Sequence, residues 1–475
     1  MNKFCIFCFL AALYIAANVL PAAAWMRPHN NLSGKQLQEL MNEIAETPST
    51  AYPDTVYVPP TGARHTEIRS VNPSSPPAII DITGNMNNKK LFKLSDFATS
   101  VRYVYLQPPP GIKFTTGYVV SDDKHIFINN DQGLFCYSTE GLYLYTVCNN
   151  QTEQRLIWEG LMGTRIVNGI VGNVDLLNGK LIFRTRHWPS GEDIRDMRLN
   201  VFDVKELDAQ MRFNIQSGEL KNLNIQPKYQ RRLELTKEIG LLSGFLLMDD
   251  QSLFIENSLT GITVYGDTLC KFNDYDTYKI RPGQSVIPSV PSKTYRFDGN
   301  VMLKKSNNDT IFRVAPPNRL IPVYVMRWGE YKPDINVYMG LGNLEGKLIY
   351  CDWVETSRFI FIRYSEGTKS LTNKNQIKFH LSVYDKTAKT LTHHLTSGIR
   401  TFIRDTEIPP LFENNIDPVG MPFYPEGLNH RNEMYMTFNK EKVKDYIASG
   451  KLQNNKLQAI CNNMSDDGFC LMIVK

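Results

Sequence analysis

Cysteine is scarce in this chain, and its spacing does not suggest a metal or redox site. Eight cysteines occur in 475 residues, and two of them lie within the first eight positions. None of the other six forms the Cys-x-x-Cys spacing of zinc sites and redox dithiols. Two alternatives remain open for Cys461 and Cys470, a small disulfide loop or two buried thiols. The six cysteines are Cys136, Cys148, Cys270, Cys351, Cys461 and Cys470.

The chain also lacks a large net charge. The formal net charge is only +5, which argues against a nucleic-acid-binding protein, because such proteins usually present a strongly basic face. Hydrophobic residues make up 42% of the chain and aromatic residues 11%. This composition is sufficient for a large core and excludes a disordered chain.

Long apolar runs are absent except at the N-terminus. Lys3 precedes an apolar run of 17 residues from Phe4 to Leu20. Ala22 and Ala24 then fit the small subsites of a signal peptidase, so we expect cleavage before Trp25. An uncleaved anchor is the alternative, although a membrane span needs about 20 apolar residues.

The remaining chain suggests a free exported protein. No cysteine directly follows the apolar run, so lipid attachment is not expected. The longest later apolar stretch, from Ile239 to Met248, is too short to span a bilayer. The sequence therefore predicts a periplasmic or secreted protein with no integral membrane span after cleavage.

Familiar catalytic motifs are absent as well. The chain has no G-x-S-x-G elbow, phosphate-binding loop, dinucleotide fingerprint or H-E-x-x-H pair. His393 and His394 are adjacent, which on a strand directs them to opposite faces and is poor geometry for one metal. We expect one of them to be exposed and the other to lie against a loop. The sequence predicts no catalytic residue, no metal site and no cofactor.

Three regions differ in their pattern. Residues 1–24 form the predicted signal peptide, and residues 25–78 form an N-terminal helix followed by a proline-rich linker or strap. The helix begins at the capping box of Ser33 and Gln36, and seven prolines follow between Pro48 and Pro77. Residues 79–475 consist of short apolar alternations separated by polar turns.

Six similar units recur in this third region, beginning near residues 117, 166, 240, 293, 340 and 415. Each contains three or four short strands, and the third strand carries an aromatic residue or valine near its end. Four-stranded units repeated at about 40 residues or more are typical of a β-propeller. We therefore predict an all-β, six-bladed β-propeller; two β-sandwich domains are the alternative. The third strands include Leu134–Ser138, Leu199–Asp203, Ile262–Gly266, Thr310–Val314 and Leu381–Asp385.

The two ends of this region are expected to meet. The apolar segment from Cys470 to Val474 needs a sheet partner, which either Ala78–Ile82 or Val101–Leu106 could provide. The sequence thus predicts a ring closed by N- and C-terminal strands. A helix between Asn439 and Gly450 is expected to lie beside the last blade.

Several segments carry a resemblance to a known family: Phe92–Asp96, Val101–Val104, Asn308–Val314 and the apolar C-terminal strand. They resemble the exported six-bladed, TolB-like propeller proteins of Bacteroidetes over residues 80–475. The resemblance implies a propeller fold and a location in the cell envelope. It implies no catalytic residues, because the function of that family is largely unknown.

One loop combines side chains suited to ligand binding. Arg184, Arg186, His187 and Trp188 could hold an anionic or sugar ligand through charge and ring stacking. The alternative is that Trp188 packs on the next blade. We therefore expect a non-catalytic envelope protein that binds a protein, peptide or glycan.

The rival function is a channel-centred hydrolase or lyase acting on peptides or glycans. Its catalytic residues would come from several blades, so their spacing in the sequence would not reveal them. Two or more carboxylates or histidines within hydrogen-bonding distance at a channel mouth would favour this enzyme.

Overall fold

The structure is a computed structural model. With short gaps, it describes residues 67–68, 76–187, 197–217, 229–232, 244–272, 293–333, 344–367, 377–448 and 464–475, and the isolated positions 35, 39, 42 and 462. Some strand segments, residues 151–158 and 161–169 among them, are described by their backbone alone. The predicted signal peptide, including Ala22, Ala24 and Trp25, lies outside the described residues, as does the proline-rich segment before residue 67.

The strands fall into an N-terminal segment followed by blades 1 to 3. The N-terminal segment contains β1 (Glu67–Ile68), β2 (Ala78–Asp81), β3 (Lys89–Lys90) and β4 (Val101–Leu106). Blade 1 contains β5 (Tyr118–Ser121), β6 (His125–Asn129), β7 (Gly133–Ser138) and β8 (Tyr143–Asn149). Blade 2 contains β9 (Gln151–Trp158), β10 (Leu161–Leu177), β11 (Lys180–His187), β12 (Met197–Asp203), helix α1 (Val204–Ser217) and β13 (Tyr229–Arg232). Blade 3 contains β14 (Phe245–Leu247), β15 (Ser252–Ile255), β16 (Thr260–Thr263) and β17 (Thr268–Phe272).

Blades 4 to 6 follow in chain order. Blade 4 contains β18 (Lys293–Phe297), β19 (Asn300–Lys304), β20 (Thr310–Ala315) and β21 (Arg319–Arg327). Blade 5 contains β22 (Leu348–Glu355), β23 (Phe359–Glu366), β24 (Ile377–Asp385), β25 (Thr390–His394), β26 (Gly398–Thr401) and β27 (Thr406–Ile408). Blade 6 contains β28 (Gly427–Leu428), β29 (Met434–Asn439), helix α2 (Lys440–Ala448) and β30 (Phe469–Val474), and it also includes β4.

These six sheets, antiparallel except for the short N-terminal strands at the edges of three of them, confirm the predicted six-bladed β-propeller. The middle strands of blade 1 explain why this sequence forms blades: every residue of β6 and β7 is buried. A strand covered on both faces requires a nearly continuous apolar run, such as Ile126–Ile128 or Leu134–Tyr137. Each blade therefore needs a neighbour on either side, and a closed ring supplies one for all of them.

The N-terminal segment runs around the outer rim of the ring. β1 pairs in parallel with β17 of blade 3, β2 with β21 of blade 4, and β3 with β25 of blade 5. The segment then enters blade 6 as β4. Each short strand covers the backbone edge of a blade, which would otherwise be open to pairing with another chain.

Blade 6 pairs an early strand, β4, with the C-terminal strand β30. β30 lies between β29 and β4, with Val474 opposite Val101 and Phe469 opposite Leu106. Of the two proposed N-terminal partners, Val101–Leu106 pairs with β30, whereas β2 belongs to the rim of blade 4. Ring closure therefore depends on a sheet built from distant parts of the sequence.

The core lies mainly between blades. Ile182 and Val201 of blade 2, for example, belong to the same buried cluster as Leu253 and Ile262 of blade 3. Burying a side chain of this size contributes about 1.5–3 kcal/mol. In the part of the chain that the structure describes, no helix is long and apolar enough to cross a membrane. Cys470 is a buried free thiol, and Cys461 lies outside the described residues.

Candidate functional site

Six strands, one from each blade, form the wall of the central channel: β5, β10, β14, β18, β22 and β28. β10 contacts β5 and β14, β18 contacts β14, and β28 contacts β22. We call the mouth where these strands begin the upper mouth, and the mouth where they end the lower mouth. Each mouth is bordered by a different set of turns, so each can hold a separate site.

Polar side chains of the wall bond from blade to blade. The Asp175 carboxylate accepts hydrogen bonds from the Leu247 amide at 2.7 Å and from Nη2 of Arg296 at 2.6 Å. The same Nη2 donates to the Leu247 carbonyl at 2.8 Å. Lys293 binds Asp352 and the carbonyl oxygen of Trp353. These hydrogen bonds and ion pairs connect neighbouring blades.

A pocket of about 270 Å³ opens at the upper mouth between blades 6 and 1. Tyr118, the first residue of β5, stands beside it with 67% of its surface exposed. Such exposure is unusual for an aromatic side chain and leaves a ring face available for stacking. The pocket is lined by Gly117, Tyr118, Glu426, Tyr435, Thr437, Phe438, Asn439, Lys442 and Phe469.

The polar groups of this pocket are fixed in position. Glu426 accepts hydrogen bonds from the amide of Thr437 at 2.7 Å, from its hydroxyl at 2.5 Å, and from Nζ of Lys442 at 2.8 Å. Asn439 caps α2 by accepting a hydrogen bond from the Lys442 amide at 2.9 Å. Charged and amide groups therefore stand in one defined arrangement beside the aromatic ring.

Tyr435 forms the back of the pocket. Burial, together with the nearby Glu426, raises the pKa of Tyr435 far above its ordinary value, so the phenol stays protonated. Its hydroxyl donates to the Val119 carbonyl at 3.4 Å. A Cβ atom on Gly427 would lie 2.8 Å from that hydroxyl, so glycine leaves room for the tyrosine.

A second polar group lies at the lower mouth, again between blades 6 and 1. Oγ of Ser121 is 3.0 Å from Nδ1 of His430, and Nε2 of His430 is 3.0 Å from Oδ1 of Asp123. Burial lowers the pKa of His430 against the opposite influence of Asp123. Nη2 of Arg431 also lies 3.3 Å from Asp123.

Behind this group lies a fully buried histidine. His125 stands between Asp122, 3.1 Å from its Nδ1, and Asp208 of α1, 3.3 Å from its Nε2. Tyr145 donates to Asp208 at 2.9 Å. Burial opposes the charge on His125, but its hydrogen bond to Asp122 and its ion pair with Asp208 raise its pKa to about 9. The imidazolium thus ties blade 1 to the helix of blade 2.

Blades 4 and 5 share a buried carboxylate that sequence spacing did not suggest. Glu355 is 1% exposed and accepts hydrogen bonds from Tyr295 at 2.8 Å, Tyr324 at 2.7 Å and Lys386 at 2.8 Å. Its partners come from β18, β21 and the turn after β24, so no local signal reveals them. The two tyrosine contacts join blade 4 to blade 5, and the Lys386 contact lies within blade 5.

The loop predicted to bind a ligand is described only in part. Arg184 lies in the middle of β11 opposite Leu199 and is 4% exposed. Arg186 and His187 lie further along the same strand, where the structure describes only their backbone. Trp188 lies outside the described residues. Ligand binding by this loop stays a prediction.

The expectation that either His393 or His394 is exposed was wrong, because both are only 4% exposed. Nδ1 of His393 lies 2.7 Å from Oγ of Ser382. Nδ1 of His394 accepts from the Phe92 amide at 3.2 Å, and its Nε2 donates to the Leu411 carbonyl at 3.0 Å. Both rings fill core positions where a hydrophobic side chain would leave these polar groups unpaired.

Burial lowers the pKa of both His393 and His394 below 6.5. The stability that they contribute is therefore full above about pH 6.5 and declines as the pH falls toward the lower folded-state pKa. We expect urea midpoints to decrease from pH 6.5 to pH 5.5. His394→Gln should show a smaller decrease; an equal decrease in both proteins would exclude His394 as a cause.

Metal binding has no evident site in the described part of the chain. No three His, Cys, Asp or Glu side chains among those residues are grouped closely enough to hold an ion.

The fold and the two groups at the channel mouths define a six-bladed β-propeller with polar sites at the boundary of blades 6 and 1. The chain belongs to the family described as a domain of unknown function (DUF4933), whose model matches residues 60–449. No curated protein sequence matches this chain.

One solved structure supports the fold. A Bacteroides fragilis protein described as exported is 14% identical, with a TM-score of 0.51, and the match covers 84% of this chain and 99% of that one. A chain from the Saccharomyces cerevisiae structure of Dbp5 with Nup159, Gle1, IP6 and ADP is 8% identical with a TM-score of 0.27, covering 74% and 70%. That second likeness is too loose to bear on function. The resemblance to TolB-like proteins stays a prediction.

Proposed function

We propose that this protein is an exported binding protein of the cell envelope, and that it holds one sugar unit of a glycan in the upper pocket. The observation that carries the proposal is the exposed ring of Tyr118 beside the fixed Glu426–Lys442 pair. An aromatic face suits the apolar face of a sugar ring, while carboxylate, ammonium and amide groups suit its hydroxyls.

The size of the pocket supports a small ligand. Pockets for drug-sized molecules commonly measure about 300–1,000 Å³, and this one is about 270 Å³. A single unit at the end or side of a longer glycan therefore fits better than a long stretch of chain. The family resemblance and the exported relative are consistent with an envelope location, where such glycans occur.

Tyr118→Ala is expected to weaken glycan binding by about tenfold or more, because truncating a central aromatic contact commonly costs 1.4 kcal/mol or more. Isothermal titration calorimetry with chitotriose and maltotriose as probes would measure the dissociation constants. The melting temperature should not change, because the ring is mostly exposed.

Leu395→Ala is the matched control. Leu395 is 58% exposed and follows β25 in blade 5, away from the pocket. It should leave both the dissociation constant and the melting temperature unchanged. Equal weakening by both variants, or binding that does not depend on Tyr118, would contradict a glycan site in the upper pocket.

A further inference from the structure

The group at the lower mouth has the order hydroxyl, imidazole, carboxylate. Ser121 is the last residue of β5, and Asp123 lies in the turn that follows it. His430 reaches them from the turn between β28 and β29 of blade 6. With both separations at 3.0 Å, the three side chains form one continuous chain of hydrogen bonds across the blade boundary.

The direction of these hydrogen bonds follows from their chemistry. An ionised carboxylate can only accept a hydrogen bond, so Nε2 of His430 must carry the proton that faces Asp123. In the neutral ring, Nδ1 then presents its lone pair to Ser121, and the serine hydroxyl donates to it. The neutral form prevails near pH 7, because burial lowers the pKa of His430. This is the order of a nucleophile, a general base and an orienting carboxylate, with the two ring nitrogens exchanged relative to the serine-protease triad.

Both turns that carry this group are held by their own side chains. Asp122 accepts the amide of Lys124 at 2.8 Å and thereby fixes the turn that contains Asp123. Asn429 accepts the amide of Arg431 at 2.9 Å and fixes the turn that contains His430. The fixed backbone of the two turns therefore holds the three side chains in position.

The group is also accessible. The His430 side chain is 23% exposed, and Ser121 is half-buried. The contact between Ser121 and His430 therefore lies at the surface, where solvent reaches it.

We propose that Ser121 is a base-activated nucleophile for acyl groups of small esters, an activity separate from ligand binding at the upper mouth. Oγ of Ser121 bonds to the carbonyl carbon while Nδ1 of His430 takes the hydroxyl proton. The carbon–oxygen bond to the alcohol then breaks, and the alcohol leaves with that proton. Water attacks the acyl-serine next, which releases the carboxylic acid and restores the hydroxyl.

A fluorophosphonate probe, which bonds to activated serines with loss of fluoride, tests the proposal on the full chain. Mass spectrometry of peptides should find the label on Ser121 of the wild type and not in Ser121→Ala. Ser95→Ala is the matched control, because the Ser95 hydroxyl lies 2.9 Å from an asparagine amide nitrogen and contacts no histidine. It should be labelled at the wild-type rate.

His430→Gln should slow labelling about 100-fold or more, because a general base contributes typically 10²–10⁴-fold. The wild-type rate should rise with pH as His430 loses its proton and then level off, whereas the variant should show no such rise. Asp123→Asn provides a second slow variant if His430→Gln does not fold. An unlabelled Ser121, or labelling that is equally fast without the His430 imidazole, would overturn the proposal without affecting the glycan site.

Discussion

Deletion of residues 469–475 is expected to abolish cooperative folding of the whole ring. The deletion removes β30, which is the only strand that joins β29 to β4 among the described residues of blade 6. All six residues of β30 are buried, and Met472 is 0% exposed. At about 1.5–3 kcal/mol for each large apolar side chain, the loss is on the order of 10 kcal/mol. This matches the entire stability of a typical domain, about 5–15 kcal/mol.

Circular dichroism melting and limited proteolysis would measure this effect. The truncated chain should show no cooperative transition and should be cleaved rapidly. Deletion of Lys475 alone is the control, because this exposed residue contributes no buried side chain and only its backbone bonds to Thr99 and Ser100, one of them from the Thr99 hydroxyl. Met472→Ala should fold but lose about 2–5 kcal/mol. A truncated protein that melts cooperatively within a few degrees of the wild type would contradict closure by β30.

The propeller could be predicted because its blades repeat. Each third strand repeats the same apolar pattern, and Phe312 and Val383 occupy buried positions in blades 4 and 5 as this pattern requires. The apolar C-terminal strand also had to pair inside a sheet. Its partner stayed ambiguous, because Ala78–Asp81 and Val101–Leu106 are both short apolar strands. Only the path of the N-terminal segment around the rim distinguishes them.

The candidate sites could not be predicted in the same way. Ser121 and His430 are separated by more than 300 residues and meet only because blade 6 lies beside blade 1 in the closed ring. Tyr118 begins β5, but its exposure depends on the pocket beside it. Asp122 and Asp123 lie in the turn after β5, which accounts for their backbone. Their side chains, however, bond to two different histidines.

His125→Gln is expected to destabilise the protein by about 3–5 kcal/mol, because it leaves two buried carboxylates without a cation between them. The carboxylates are those of Asp122 and Asp208, and His125 itself is 0% exposed. The fold cannot easily move water into this space, since the ring lies against Phe127 in blade 1. Urea denaturation at pH 7 would measure the loss.

The pH dependence distinguishes lost charge from lost packing. Because the pKa of His125 is raised from 6.5 to about 9 in the folded protein, its contribution is full below about pH 6.5 and is lost as the pH rises through 9. At 1.36 kcal/mol for each unit of pKa, wild-type stability should fall by about 3 kcal/mol over that window. His125→Gln should lack this decline, whereas His380→Gln should keep it, because the pKa of His380 is lowered by burial. If the stability of wild type and His125→Gln fell equally between pH 6.5 and pH 9.5, the charge on His125 would not be what joins blade 1 to α1.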